Sequence, residues 1–165
     1  MPTAKIVYAS LTGNNEEIAD IVAEELEKYG YTVDATEVSQ AMAEDFKDAE
    51  ICVTATYTYS DGDEGILPDE SLDFYDDLKE TDLKGKVYGC CGSGDHFYDD
   101  FATAVDDFDK AFAQSGATKG ADNVKIDLSP EADDIKALEK FTKQLVDKAK
   151  ELNVWFADLN QSLLE

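Results

Sequence analysis

The sequence predicts an α/β fold, a three-layer sandwich in which a five-stranded parallel sheet is covered by helices on both faces. Three observations carry this. Short apolar runs of strand character alternate with segments of helical periodicity along the whole chain. The first run, Ile6-Val7-Tyr8-Ala9, has no polar alternation and reads as a strand buried on both sides. The length of 165 residues, with 43% hydrophobic and 32% charged, matches one globular domain. A chain of this size buries roughly 68–70% of its unfolded surface and needs no disulfide or metal to hold a core.

The elements follow in order. Residues 4–9 are the first strand, and Ile18, Ile21, Val22, Leu26 and Tyr29 then recur at helical spacing until Gly30 stops the helix. Residues 31–37 form a second strand. A short helical piece over 43–49 leads into a third strand, "ICVTAT", followed by a long polar loop, "YTYSDGDEGILPDE". A short helix covers 71–78. The fourth strand is "KGKVYGCCG", followed by the loop "SGDHFYDD" and a helix with Phe101, Val105, Phe108 and Phe112 on one face. Gly116 ends it. "NVKIDL" is the fifth strand. Ser129 then caps a last helix with Pro130 at its first position, carried by Ile135, Leu138, Phe141, Leu145, Ala149 and Leu152. Residues 1–152 are read as the domain. The segment 153–165, with Val154, Trp155, Phe156, Leu159, Leu163 and Leu164, is too apolar for a free end and is expected to pack back on that domain.

Charge and cysteines narrow the function. The formal net charge is -24, from 38 acidic and 14 basic residues, which argues against nucleic acid and anionic membrane surfaces as partners and favours a basic partner or simply solubility. No apolar run approaches the ~20 residues of a membrane span, and no signal peptide is evident, so a cytoplasmic protein is expected. The cysteines are Cys52, Cys90 and Cys91, with no Cys-x-x-Cys spacing, and His96 is the only histidine. That argues against a zinc or iron–sulfur site and for buried thiols in a reducing compartment. Adjacent strand residues face opposite ways, so Cys90 and Cys91 do not pair readily.

Ligands of such sheets sit beyond the carboxyl ends of the strands, where strand order reverses. The first loop there is Ser10-Leu11-Thr12-Gly13-Asn14-Asn15. A helix starting near Asn14 presents backbone N–H groups with no partner inside the helix and a partial positive charge. Ser10, Thr12, Asn14 and Asn15 add neutral donors, and Gly13 lets the backbone come close. This is a phosphate cradle made of dipoles alone. It lacks the Gly-Lys-Ser/Thr of a nucleoside-triphosphate loop, so a single terminal phosphate suits it better. An ordinary helix cap accounts for the same residue types. The loops after the third and fourth strands each place aromatics among polar and glycine residues: Thr56-Tyr57-Thr58-Tyr59-Ser60-Asp61-Gly62 and Gly92-Ser93-Gly94-Asp95-His96-Phe97-Tyr98. Taken singly, each aromatic is most simply a core residue. Two rings from opposite loops also make a slot for a flat heterocycle.

These three loops in this order resemble the flavodoxins. The motifs are Ser-x-Thr-Gly-Asn, a Thr-aromatic loop ending in Asp-Gly, and Gly-x-Gly-Asp-x-x-Tyr before an amphipathic helix; the likeness runs from Ala4 to Leu152. It is to the family's short form, since no long insertion interrupts "NVKIDL". The resemblance implies the flavodoxin-like strand order 2-1-3-4-5 and non-covalently bound FMN at the switch point between strands one and three. Flavodoxin is itself a standard example of that switch-point rule, so the placement comes from the family. By the resemblance, Ser10, Leu11, Thr12, Gly13, Asn14 and Asn15 bind the phosphate. Thr58 and Tyr59, with Thr56, Tyr57 and Ser60 in the same loop, cover the inner ring face. Ser93, Gly94 and Asp95 offer backbone groups to the ring edge, and Tyr98 stacks outside with Phe101 nearby.

The implied function is a low-potential one-electron carrier, not an enzyme, passing electrons between a reductase and acceptor proteins. Asp61, Asp63, Glu64, Asp69, Asp95, Asp99 and Asp100 crowd the ring end, where they disfavour negative charge on the flavin and attract basic docking surfaces. Monomer is the family expectation. A quinone reductase on the same architecture would need a nicotinamide site, which the acidic loops oppose. A phosphoacceptor receiver would need acids after the first strand, where Ser10 stands, an Asp where Thr56-Tyr57 stand, and a Lys where "LSPE" stands. Three positions depart from the family pattern: Asn15 in place of Thr or Ser, Tyr59 in place of a common Trp, and Ser60 in place of a common Gly. In the family, a peptide of this loop turns over on reduction to accept a bond from the protonated ring. Glycine favours the positive φ that the turn requires, and serine opposes it. Ser60 is therefore expected to weaken stabilisation of the one-electron-reduced flavin. A redox titration of wild type beside Ser60→Gly should show a larger one-electron-reduced fraction in the variant; equal fractions would remove the effect.

Overall fold

A computed structural model of the chain describes residues 2–9, 13–57, 59–61, 64–66, 71–94 and 102–164, with the backbone alone described for 59–61, 64–66 and 154–164. β1 (Thr3–Tyr8) lies between β2 (Thr32–Glu37) and β3 (Ile51–Ala55), and all pair in parallel. A small antiparallel hairpin follows, β4 (Tyr59–Asp61) with β5 (Glu64–Ile66). β6 (Val87–Gly94) then pairs parallel to β3. The last sheet position is shared: β7 (Thr118–Lys119) pairs with the start of β6, and β8 (Val124–Asp127) with its end. Counted by position, the order is the expected 2-1-3-4-5.

Among the described residues, four α-helices cover this sheet: α1 (Asn14–Lys28), α2 (Leu72–Glu80), α3 (Thr103–Gln114) and α4 (Ala132–Leu164). The short piece over Ala43–Asp48 is a 3-10 helix, not α. Strand alternation sorts the side chains into two cores. Ala4, Ile6, Ile51, Val53, Val87 and Cys91 pack with Ile18, Val22 and Leu26 of α1 and with Leu138, Phe141 and Leu145 of α4. Val7, Cys52, Tyr88 and Cys90 face the other way, onto Phe46, Phe74, Leu78, Val105, Phe108 and Phe112. The second core is aromatic: the Tyr88 and Phe112 rings stack with centroids 4.7 Å apart, and Phe46 lies 5.3 Å from Phe112 and 5.8 Å from Phe74. Such pairs add about 0.5–1.5 kcal/mol each beyond area burial.

The adjacent cysteines divide between the two cores, as side-chain alternation requires, and all three thiols are free and buried. Burial pushes Cys52 and Cys91 up to about 12 and raises Cys90 as well, so none forms the reactive thiolate near neutral pH.

Four details differ from the sequence reading. The loop after β3 contains the β4–β5 hairpin. An additional short strand, β7, precedes the expected fifth strand, β8, and between them Gly120 N–H turns to Tyr88 O at 2.9 Å. Tyr29 and Ile135, expected on buried helix faces, are 41% and 37% exposed, each at a helix end. α4 begins at Ala132 rather than at Pro130. Leu128 holds φ 62, turning the chain off the sheet, and the Asp134 carboxylate accepts from Glu131 N–H at 2.9 Å. At its other end the backbone of α4 stays helical through Leu164, and Asn153 Nδ2 donates to Glu50 Oε2 at 3.5 Å. A helix of this length spans about 50 Å.

A polar cluster closes the far edge of the sheet. Asp109 accepts from Tyr88 Oη, from Lys119 Nζ at 2.8 Å and from Asn123 Nδ2 at 3.0 Å. Burial alone would raise its carboxyl, but these donors outweigh burial and hold it below the usual range. A depressed carboxylate stabilises the fold above its unfolded value of about 3.9, and that contribution is lost as pH falls through the lower folded value. Asp109→Asn should therefore unfold about 1–2 kcal/mol more easily than wild type at pH 7, and the gap should close below about pH 4. Urea midpoints across that range measure it; a gap independent of pH would rule the charge out.

Candidate functional site

The carboxyl ends of β1, β3 and β6 lie side by side, joined beyond the regular ladder by Ala9 N–H to Ala55 O at 3.0 Å and Thr56 N–H to Cys91 O at 3.2 Å. β1 feeds α1, and β3 and β6 lie on the side of β1 away from β2. The chain order therefore reverses at β1, and the crevice opens above β1 and β3.

α1 starts at Asn14, where the sequence places it. Its N-cap is Gly13 with φ 91 and ψ -8, the left-handed region, with open space where a Cβ would stand. Glu17 N–H donates to Gly13 O at 3.0 Å, so helical bonding begins there. The N–H groups of Asn14, Asn15 and Glu16 precede that first bond and find no carbonyl within the helix. The N-cap is glycine and gives no side-chain cap bond, and a helix start of this kind is the type of end that suits an anion. Asn14 is half-buried, while Asn15 is 1% exposed. The Asn15 side chain turns inward: Nδ2 donates to Ser93 Oγ at 2.9 Å, and Oδ1 accepts from Ser93 N–H at 3.0 Å.

On the opposite wall, Thr56 is 1% exposed, and its Oγ1 has no hydrogen-bond partner among the described residues. A buried hydroxyl left unpaired costs about 1–3 kcal/mol. Gly92 passes so close to β3 that a Cβ would stand 1.9 Å from Thr56 O. Gly94 O accepts from Leu128 N–H at 2.9 Å. Tyr57 is half-buried against the aromatic core. Tyr59 and Ser60 lie in β4, where Ser60 pairs with Gly65 and Tyr59 with Ile66. The structure thus brings Gly13, Asn14, Asn15, Thr56, Ser93 and Gly94 together at the strand ends. Ser10, Leu11, Thr12, Thr58, Asp95, Tyr98 and Phe101 lie outside the described residues.

Three features escaped the sequence reading. The hairpin carries its own signal, because the two residues between paired Asp61 and Glu64 are Gly62-Asp63, a glycine-first two-residue turn sequence. Nothing marks Ala102, the N-cap of α3, as left-handed at φ 51. The Asn15–Ser93 pair joins residues 78 apart, a distance no local pattern spans.

Residues 6–141 match the family model described as Flavodoxin. The chain is a member of the flavodoxin family. It is 34% identical to probable flavodoxin 1 of Bacillus subtilis, over 93% of this chain and 96% of that one. It is 36% identical to the flavodoxin of Maridesulfovibrio salexigens, over 82% and 92%. Among solved structures, a flavodoxin of Streptococcus pneumoniae superposes with a TM-score of 0.85 at 55% identity, covering 88% of this chain and 99% of that one. A short-chain flavodoxin associated with a bacterial microcompartment gives 0.86 at 53% identity, covering 90% and 99%.

Flavodoxins bind FMN. The described residues fit it: the α1 N-terminus with its glycine cap suits a phosphomonoester, and the unpaired Thr56 hydroxyl stands at the adjoining strand end. Because β3 and β6 meet backbone to backbone at Gly92, Gly92→Ala must separate the strand ends. It is expected to destabilise the protein by about 3 kcal/mol or more and to weaken FMN binding in whatever folds. Thermal melts of the apoprotein with a flavin titration read both; an unchanged melting temperature would show that the strand ends yield freely.

Proposed function

We propose that this chain is a low-potential one-electron carrier that holds FMN non-covalently and passes electrons from a reductase to acceptor proteins. The observation that carries the reading is the glycine-capped start of α1 at the strand-order switch point of a flavodoxin-family sheet. Bound FMN supplies the electron transfer itself. The chain supplies the rest. Backbone N–H groups at the start of α1, with Ser10, Thr12, Asn14 and the neighbouring backbone, hold the phosphate without a cation. Thr58, Tyr59 and Tyr98 shield the ring faces from water, and Ser93, Gly94 and Asp95 bond the ring edge.

Residues 1–152 form the FMN-binding domain of this reading. The acidic rim raises the free energy of placing further negative charge at the ring edge, which sets a low potential. The same rim favours transient docking of redox proteins with basic surfaces. Monomeric operation in the cytoplasm fits the charge, since -24 on each copy opposes self-association. No helix among the described residues is long and apolar enough to cross a membrane.

The test uses the purified protein loaded with FMN. One flavin per chain, released by acid precipitation, is expected. Electron delivery from a separate NADPH-dependent reductase to a basic acceptor such as cytochrome c should slow roughly tenfold between low and physiological salt. Steady NADPH oxidation by the loaded protein alone would instead establish a reductase enzyme, and a folded chain that takes up no FMN would overturn the reading.

A further inference from the structure

Asn15 sits where phosphate donors are expected, yet its side chain is committed elsewhere. Both polar atoms of its amide meet Ser93: Oδ1 takes the backbone N–H at 3.0 Å, and Nδ2 gives a proton to Oγ at 2.9 Å. The orientation of the amide is dictated by chemistry, because a backbone N–H only donates and must face the oxygen. Both residues are buried, Asn15 at 1% and Ser93 at 5% exposed. Water therefore competes weakly, and breaking one bond leaves a polar group stranded.

The receiving segment is held from several sides. Cys91 O accepts from Thr56 N–H at 3.2 Å, and Gly94 O accepts from Leu128 N–H at 2.9 Å. Gly92 lies against Thr56 O, and a Cβ on Gly94 would stand 2.8 Å from Ala102 N. Asn15 is the member of this set that belongs to the first turn of α1. It ties the phosphate end of the site to the strand end whose backbone bonds the ring edge.

We propose that Asn15 is a positioning residue: through Ser93 it holds the β6 end in register with the phosphate turn, and it supports binding of the isoalloxazine ring rather than contacting the phosphate. This deepens the FMN reading and rests on it. Thr or Ser at this position, as the family commonly has, carries its polar atom one bond nearer the backbone and has a single hydroxyl, so it cannot reproduce the two-point amide contact.

The experiment titrates apoprotein with FMN and with riboflavin, which has the ring but no phosphate. It compares wild type, Asn15→Leu, Ser93→Ala and the double variant, with a melting temperature for each. Asn15→Leu should weaken both flavins by a similar factor, about tenfold or more, and shift the midpoint potential of the bound flavin. Ser93→Ala should add little in the Leu background, since the tie is already gone. Asn15→Asp provides a second arm. A carboxylate still accepts from Ser93 N–H, and the serine hydroxyl turns to donate to its other oxygen, so riboflavin affinity should stay within about threefold of wild type while FMN affinity falls through repulsion of the phosphate. Loss of FMN affinity with riboflavin affinity intact in Asn15→Leu would make Asn15 a phosphate ligand and overturn the proposal. A lowered melting temperature with both affinities and the potential unchanged would reduce the pair to a fold brace and also overturn it, as would loss of riboflavin binding in Asn15→Asp. Wild-type protein that binds neither flavin would be a different failure, that of the FMN reading itself.

Discussion

Parallel pairing of β1, β3 and β6, buried on both faces, is the constraint from which the rest of the molecule follows. A parallel sheet has no short return path, so each connection must cross over a face, and each crossover lays a helix there. Two cores result, one under α1 and α4 and one around the Phe46–Phe112 cluster. The same constraint makes the site. Strands that run the same way end together, and their ends leave backbone groups and helix starts converging on one crevice. Nothing else is required to bring Gly13, Thr56 and Ser93 together from three distant stretches of chain.

Much of this was legible in the residues. Helical spacing of Ile18, Val22 and Leu26 placed α1, and the opposite facing of Cys90 and Cys91 followed from strand geometry before any contact was known. What stayed hidden has physical reasons. The extra strand β7 ends where Gly120 meets Tyr88, and no local pattern reports that. Ser129-Pro130 is a sound helix-start signal, but the left-handed turn at Leu128 delays the helix until Asp134 can serve Glu131. Asn15 is the sharpest case. Its type and position read as a phosphate donor, and only the tertiary fold shows both amide atoms meeting Ser93.

Charge plays two separate roles. At the far edge of the sheet, acids and lysines are matched: Asp109 with Lys119, and Asp106 with Lys125 at 2.6 Å. There, electrostatics serves the fold. Over the whole sequence 38 acids stand against 14 bases, and that surplus of negative charge must be borne by the surface. That repulsion opposes compactness. The aromatic core and the doubly covered sheet offset it.

The three sealed thiols have a consequence for a protein of a flavin-binding family. Sulfur is the one element of an ordinary polypeptide that readily changes oxidation state under biological conditions. Here Cys52, Cys90 and Cys91 are 0% exposed and strongly disfavoured as anions. The three cysteines are thereby withheld from thiol–disulfide exchange: with no exposed sulfur and no ready thiolate, they offer nothing for a mixed disulfide to form on.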